Sequence, residues 1–382
     1  MKIRKTFIII FVLFLLLPIT VNASDNGLSG VDISSLEDFS KKLQQNTDYI
    51  PKISFSRIID TYKQTGSIGI TLKDFAKSIG DFLMKEVILN SRLMVELLFI
   101  AILCAVLQNV QNAFSEDSVS KIGYYACYLL MVIILVKSFV NAVEIGRQTI
   151  NMMIEFTNML IPPLIILLAS VGGFASAATL DPIVMIAIKI ISDVIRDFIL
   201  PMAVLTLVVN IVDNLSDSIK ITKLGGLIKQ VSTWALGFIM TVFIGIITVR
   251  STASTALDQL TLKTTKFAVD NFIPVVGKCM SDAISTVASY SLVLKNAIGI
   301  AGLLIMICIC LFPLIKIMLI SLIYKLVGAV MEPVVDKRIV ECLTSAGNVL
   351  TIVFASVLSV SVMFFIMITI IMSTGKLLVM VG

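Results

Sequence analysis

Long apolar stretches with few charges constrain this chain more than any other feature of its sequence. They cover residues 93–110, 122–143, 159–180, 183–212, 231–249, 273–293, 297–325 and 347–372. About 20 consecutive apolar residues suffice for a helix to cross the hydrocarbon core of a bilayer. Of the 382 residues only 14% are charged, whereas soluble domains average about 25%. We therefore predict an all-α fold, a polytopic bundle of transmembrane helices in a lipid bilayer, with about five to eight crossings.

The start of the chain has the order of a secretory signal peptide. Basic residues occupy positions 2–5, an apolar core follows at 7–17, and Ala23 supplies the small residue that a signal peptidase reads. We predict a signal peptide over residues 1–23, cleaved before residue 24. The alternative is an uncleaved membrane anchor.

Residues 24–92 are polar by comparison with the remainder. The patterns Ser34-x-x-Glu37 and Thr71-x-x-Asp74 are typical of capping boxes that open helices. Apolar residues then recur at helical spacing. We predict a small exported helical segment over 24–92, followed by a polytopic membrane domain over 93–382.

Prolines and glycines interrupt several apolar stretches. A proline frees a backbone carbonyl that lipid cannot satisfy, so such a site should face protein or a water-lined path. An isolated lysine that follows one of these prolines is a further candidate for lining such a path. The candidate pore or helix-break residues are Pro162, Pro163, Gly172, Gly173, Pro201, Pro274, Gly277, Pro313 and Lys316.

Two of these prolines recur at a fixed offset. Pro274 follows Pro162 by 112 positions, and Pro313 follows Pro201 by the same number. This spacing predicts duplicated halves, about 120–230 and 231–372, with broken or re-entrant helices of the kind that transporters use. Few residues are identical between the halves, so coincidence is the alternative.

One apolar stretch contains a cluster of charges, Lys189, Asp193, Arg196 and Asp197. Their spacings of three and four residues place them on one helical face, where they can neutralise one another. One interpretation is a functional intramembrane site. The other is an interfacial segment near the lipid headgroups, before the true span begins at Phe198, and this density of charge fits an interface better.

The sequence offers little for catalysis. It contains no histidine, which excludes histidine-dependent zinc, serine and cysteine chemistry. The pair Gly277-Lys278 lacks the first glycine of a P-loop, so a nucleotide-driven step would belong to another subunit. The small net charge of +5 does not indicate a basic surface for binding nucleic acid. We predict no enzyme activity, no cofactor and no metal; a Ser/Lys hydrolase is the weakest alternative.

Several blocks resemble the stage III sporulation protein AE family. They are FAVDNFIPVVGK (267–278), SDA (281–283), LKNAIG (294–299), PLIK (313–316), YKL (324–326), D-x-RIV (336–340), GN (347–348), GKLL (375–378) and, in the first half, GG-x-x-SAA (172–178). The signal peptide, the exported segment and the membrane spans follow in the same order. The resemblance thus extends over essentially the whole chain.

The resemblance implies a place in the envelope complex that links mother cell and forespore in endospore-forming bacteria. The implied role is a channel or export-platform subunit, multi-pass in the mother-cell membrane around the forespore and required for forespore development after engulfment. The implied partners are other stage III subunits, including a cytoplasmic ATPase and ring-forming proteins, with self-association left open. The resemblance implies no catalytic residues. A self-contained secondary transporter of a small solute is the alternative from another class.

Overall fold

A computed structural model describes residues 34–45, 55–65, 72–113, 118–171, 177–178, 181–215, 221–272 and 277–374. The predicted signal peptide (1–23) lies outside these ranges, as do Gly172, Gly173 and Pro274. The helices are α1 Ser34–Gln45, α2 Phe55–Thr65, α3 Leu72–Ala113, α4 Ser118–Ser170, α5 Asp181–Val194, a π-helical turn Ile195–Ile199, α6 Leu200–Leu215, α7 Thr222–Phe272, α8 Gly277–Met331 and α9 Lys337–Ser373. Within the described ranges no residue belongs to a strand.

Six of the described helical segments are long and apolar enough to cross a membrane, which confirms the predicted all-α polytopic bundle. They are Ala76–Val110, Ile122–Ser170, Pro182–Asn214, Thr222–Ala253, Ser289–Met331 and Lys337–Ser373. The apolar stretches that begin at 122 and 159 belong to the single helix α4. Residue 93, where the sequence suggested that the membrane domain begins, lies inside the continuous helix α3.

Three pairs of helices pack antiparallel as hairpins: α3 with α4, α6 with α7, and α8 with α9. Glycines mark the close approaches near the end of each hairpin, because the absence of a side chain lets the backbones come together. The pairs are Gly123 against Leu107, Gly225 against Asn210, and Gly328 against Thr344.

The ends of the three hairpins meet at one end of the bundle, which we term the hairpin end. Gln108 of α3 donates a hydrogen bond from Nε2 to Asp336 Oδ2, 3.3 Å away, directly before α9. Tyr124, Asn214 and Arg338 line one crevice there. The described ends of the three helix pairs thus lie at the same end of the bundle.

The core lies between α4, α8 and α9. Gly146 of α4 packs against Val357 of α9, and Gly302 of α8 packs against Leu160 of α4. Tyr324 of α8 is fully buried, and its hydroxyl donates to Leu135 O at 3.1 Å. Large apolar side chains fill the space between these contacts. Those that are fully buried include Met131, Phe139, Ile150, Phe156, Ile317, Val353 and Val360.

Helices α1 and α2 cover the half of α4 that lies away from the hairpin end. The rings of Phe39 and Phe55 lie 5.4 and 6.4 Å from the ring of Phe156, centroid to centroid. Glu37 accepts hydrogen bonds from both the backbone N and the hydroxyl of Ser56, each at 3.3 Å, which joins α1 to α2. Both helices have polar outer faces, so they shield apolar bundle surface from water.

Candidate functional site

A π-helical turn, Ile195–Ile199, shapes the charge cluster found in the sequence. Leu200 N donates to Ile195 O, a bond across five residues that widens the helix. Pro201 follows directly and has no N–H to contribute to regular helical bonding. A helix irregularity therefore lies beside Pro201, one of the residues that the sequence suggested as a break.

Arg196 is the centre of the cluster. Its Nε and Nη2 donate to the two carboxylate oxygens of Asp197, at 2.8 and 2.6 Å, a bidentate pair. Nη2 also lies 2.9 Å from Asp193 Oδ1, and Nη1 donates to Asn151 Oδ1 of α4 at 2.9 Å. Arg196 thus contacts both aspartates and connects the π turn to α4.

Helix α4 contributes polar residues that the sequence analysis missed. Besides Asn151, Arg147 lies with Nη2 at 3.7 Å from Asp197 Oδ1. Glu144 accepts a hydrogen bond from Gln148 Nε2 at 3.1 Å. Their spacing could have identified them, because polar residues three and four positions apart in an otherwise apolar helix share one face. By contrast, Lys189 is exposed and pairs with none of the residues that the structure describes, so only three of the four predicted charges come together.

An open groove of about 410 Å³ runs between α4 and α6 beside this cluster. One end is charged, with Glu144, Arg147 and Arg196. The rest of its lining is apolar. It consists of Val140, Val143, Leu200, Pro201, Val204, Leu205 and Val208. We term it the α4–α6 groove; its two ends suit the two chemically different parts of an amphiphile.

Three of the predicted helix-break prolines do not end a helix. Pro162 and Pro163 lie inside α4, and Pro313 lies inside α8. The helices continue through these three positions, and their place beside a pore or water-lined path stays a prediction. The neighbours Ile161 and Leu164 are fully buried, so tertiary packing holds the helix through the unsatisfied carbonyls. Gly277 is the first residue of α8.

Lys316, predicted to line an aqueous path, forms an ion pair between two helices. Its Nζ lies 3.5 Å from Oε1 of Glu86, a carboxylate whose side chain is only 8% exposed. Asn90 Nδ2 donates to the other carboxylate oxygen at 2.7 Å. The rings of Phe82 and Phe312 pack one turn away, at 4.7 Å. This contact joins α3 to α8.

Two buried cations at the end of α9 also escaped the sequence analysis. Lys295 of α8 is fully buried and donates from Nζ to the carbonyl oxygens of Ile371, at 3.3 Å, and Thr374. Arg250 of α7 donates from both terminal nitrogens to Thr374 Oγ1, each at 3.3 Å. Cations are favourable at the negative end of a helix dipole. They anchor the end of α9 to two other helices.

The fold and the site define a multi-pass helical membrane protein with a charged groove on the flank of a filled core. Comparison with known proteins gives the family. The protein-family model described as Stage III sporulation protein AE (spore_III_AE) matches residues 53–375 of the sequence. Stage III sporulation protein AE of Bacillus subtilis (strain 168) is 35% identical over 315 residues, which are 82% of this chain and 79% of that protein. The chain therefore belongs to the stage III sporulation protein AE family, as its sequence blocks predicted. No solved structure matches it.

Proposed function

We propose that this stage III sporulation protein is a channel or export-platform subunit of a complex that links mother cell and forespore. In this proposal it lies in the mother-cell membrane around the forespore and is required for forespore development after engulfment. A cytoplasmic ATPase and ring-forming proteins are its partners. Family membership supports the sporulation role, and the six apolar helical segments support the multi-pass placement.

The observation that carries the platform role is the contrast between a filled core and an open flank. Along α4, α8 and α9 the central space is occupied by fully buried side chains such as Phe139, Tyr324 and Val357. The groove of about 410 Å³ lies instead on the outside, between α4 and α6. A passage would therefore run between this chain and neighbouring subunits, with the chain forming one wall.

Co-purification from sporulating cells tests this proposal. The full-length tagged protein would be cross-linked in the intact cells and then extracted with detergent. We expect recovery of an ATPase and ring-forming membrane proteins. An unrelated tagged multi-pass protein, expressed at the same stage, controls for non-specific capture. Recovery of this chain without such partners, despite efficient cross-linking, would contradict the proposal.

The 112-residue offset favours a second candidate, a self-contained secondary transporter. Helices α6 and α8 both pack antiparallel to α4 and run toward the hairpin end, and they carry Pro201 and Pro313 near equivalent positions. Parallel repeats of this kind occur in transporters. Saturable solute uptake by the purified protein in liposomes would support this candidate; the platform proposal predicts no uptake by the protein alone.

A further inference from the structure

The α4–α6 groove has the length of one membrane leaflet. From Arg196 to Val208 the helix rises about 18 Å at 1.5 Å per residue. Half of a bilayer's hydrocarbon core is about 15 Å deep. Glu144 and Arg147 lie at the same end as Arg196, and Val140 lies toward the other. The groove thus passes from a charged level, suited to lipid headgroups, into an apolar lining that rises about 12 Å from Leu200 to Val208, most of the depth of one leaflet.

The charged end offers one cation and one anion that retain hydrogen-bonding capacity. Arg196 already donates to both neighbouring aspartates and to Asn151. Arg147 has a 47% exposed side chain and contacts Asp197 only at 3.7 Å, which is longer than a hydrogen bond. Within the described ranges the exposed Glu144 carboxylate accepts one bond, from Gln148, and it can accept more. Positions 144 and 147 lie on the same face of α4, about one turn apart.

We propose that the α4–α6 groove binds a phospholipid with an ammonium headgroup, such as phosphatidylethanolamine. The lipid phosphate accepts hydrogen bonds from the Arg147 guanidinium, and the ammonium donates to the Glu144 carboxylate. One acyl chain lies along Val143, Val204 and Val208. Charge complementarity selects this lipid over an anionic one, because an anionic headgroup has no cation to place on Glu144.

Photolabelling of the full-length protein in vesicles tests this site. The vesicles contain equal amounts of phosphatidylethanolamine and phosphatidylglycerol, with a trace of one or the other carrying a photoactivatable diazirine in its acyl chain. Mass spectrometry then locates the label. We expect the ethanolamine lipid to label residues 140–147 and 200–208 about tenfold more than the glycerol lipid does, the effect of one charge-assisted hydrogen bond.

Variants assign the two ends of the groove. Glu144→Gln should remove most of the preference between the lipids, whereas Arg147→Gln should lower labelling by both. Val204→Trp fills the apolar part and should abolish labelling of 200–208; Val208→Trp serves if the first variant does not fold. Lys189→Gln, an exposed charge outside the groove, and Leu322→Trp, on an exposed face of α8, are matched controls that should leave labelling unchanged.

Three results would overturn the proposal. Equal labelling by the two lipids in the unaltered protein would remove the headgroup assignment. Undiminished labelling in folded Val204→Trp or Val208→Trp would place the lipid elsewhere. Cross-linking of 140–147 or 200–208 to a second copy of the chain, in place of lipid, would assign the groove to a protein contact. Size-exclusion chromatography and circular dichroism confirm folding of each variant.

Discussion

Two helix seams of the bundle carry charges in different surroundings. Between α3 and α8, Glu86 is nearly buried and meets Lys316 across an apolar interface. Beside α4 and α6, the side chains of Asp193 and Asp197, which pair with Arg196, are 37% and 50% exposed, and Arg196 lines an open groove. Buried charges are costly when a partner is lost, whereas exposed pairs contribute little to stability. The first seam therefore holds the fold together, and the second leaves its charges available for binding.

The largest effect should come from Lys316→Met. This change leaves the Glu86 carboxylate, whose side chain is only 8% exposed, without its cation in an apolar seam, and we expect a loss of about 3 kcal/mol in the free energy of unfolding. Denaturant-induced unfolding in mixed micelles, followed by circular dichroism, measures it. The double variant Glu86→Leu with Lys316→Met should recover most of the loss, because both charges are then absent. A single variant as stable as the unaltered protein would remove the distinction between the two seams.

Lys295→Met should have a smaller effect of the same kind. The change removes hydrogen bonds from a fully buried ammonium to the carbonyl oxygens of Ile371 and Thr374. We expect a loss of about 2 kcal/mol, the range for hydrogen bonds to a charged group, measured by the same unfolding experiment. Lys325→Met is the matched control on α8, since Lys325 is half-buried and, among the residues that the structure describes, donates only to Thr351. If both variants lost the same free energy of unfolding, the buried bonds of Lys295 to the end of α9 would contribute no more to stability than the partly exposed bond of Lys325.

Arg196→Gln should separate function from stability at the exposed seam. We expect the free energy of unfolding to change by less than about 1 kcal/mol, because its partners Asp193 and Asp197 are 37% and 50% exposed at the charged end of the groove. The yield of heat-resistant spores should nevertheless fall, because the α4–α6 groove loses its organised charged end. Arg92→Gln is the control: Arg92 pairs with Glu96 at 2.9 Å on an exposed face of α3. Normal spore yield with normal protein levels would mean that the cluster has no functional role.

The sequence could predict the helical bundle and part of the site, but not the partners that tertiary packing supplies. Apolar length alone predicts spanning helices. The three- and four-residue spacings indicated that Asp193 and Arg196 would pair. The approach of Arg147 and Asn151 depends on how α4 packs against the π turn, which local spacing does not encode. Lys295 is similar, since nothing near it in the sequence reveals that the end of α9 lies beside it.

The prolines show where a local rule fails. A proline inside a helix removes a hydrogen bond, so breaks were expected at Pro162 and Pro313. Packing in the bundle holds α4 and α8 continuous through them. At Pro201 the same constraint coincides with a change of helix type. The packing around a proline in the bundle, and not the proline itself, decides whether the α-helix continues or changes to a π turn.

Pro201→Ala should have the smallest effect and tests what maintains the π turn. Pro201 is exposed, and the hydrogen bond from Leu200 N to Ile195 O does not involve it. If the bonds of Arg196 to Asp197 and Asn151 maintain the turn, the free energy of unfolding should change by less than about 0.5 kcal/mol. Lipid labelling of 200–208 should also be retained. If the proline enforces the turn, alanine would restore a regular helix, rotate Arg196 away from α4 and abolish labelling together with spore formation. That result would show that Pro201, and not the hydrogen bonds of Arg196, maintains the π turn and with it the groove.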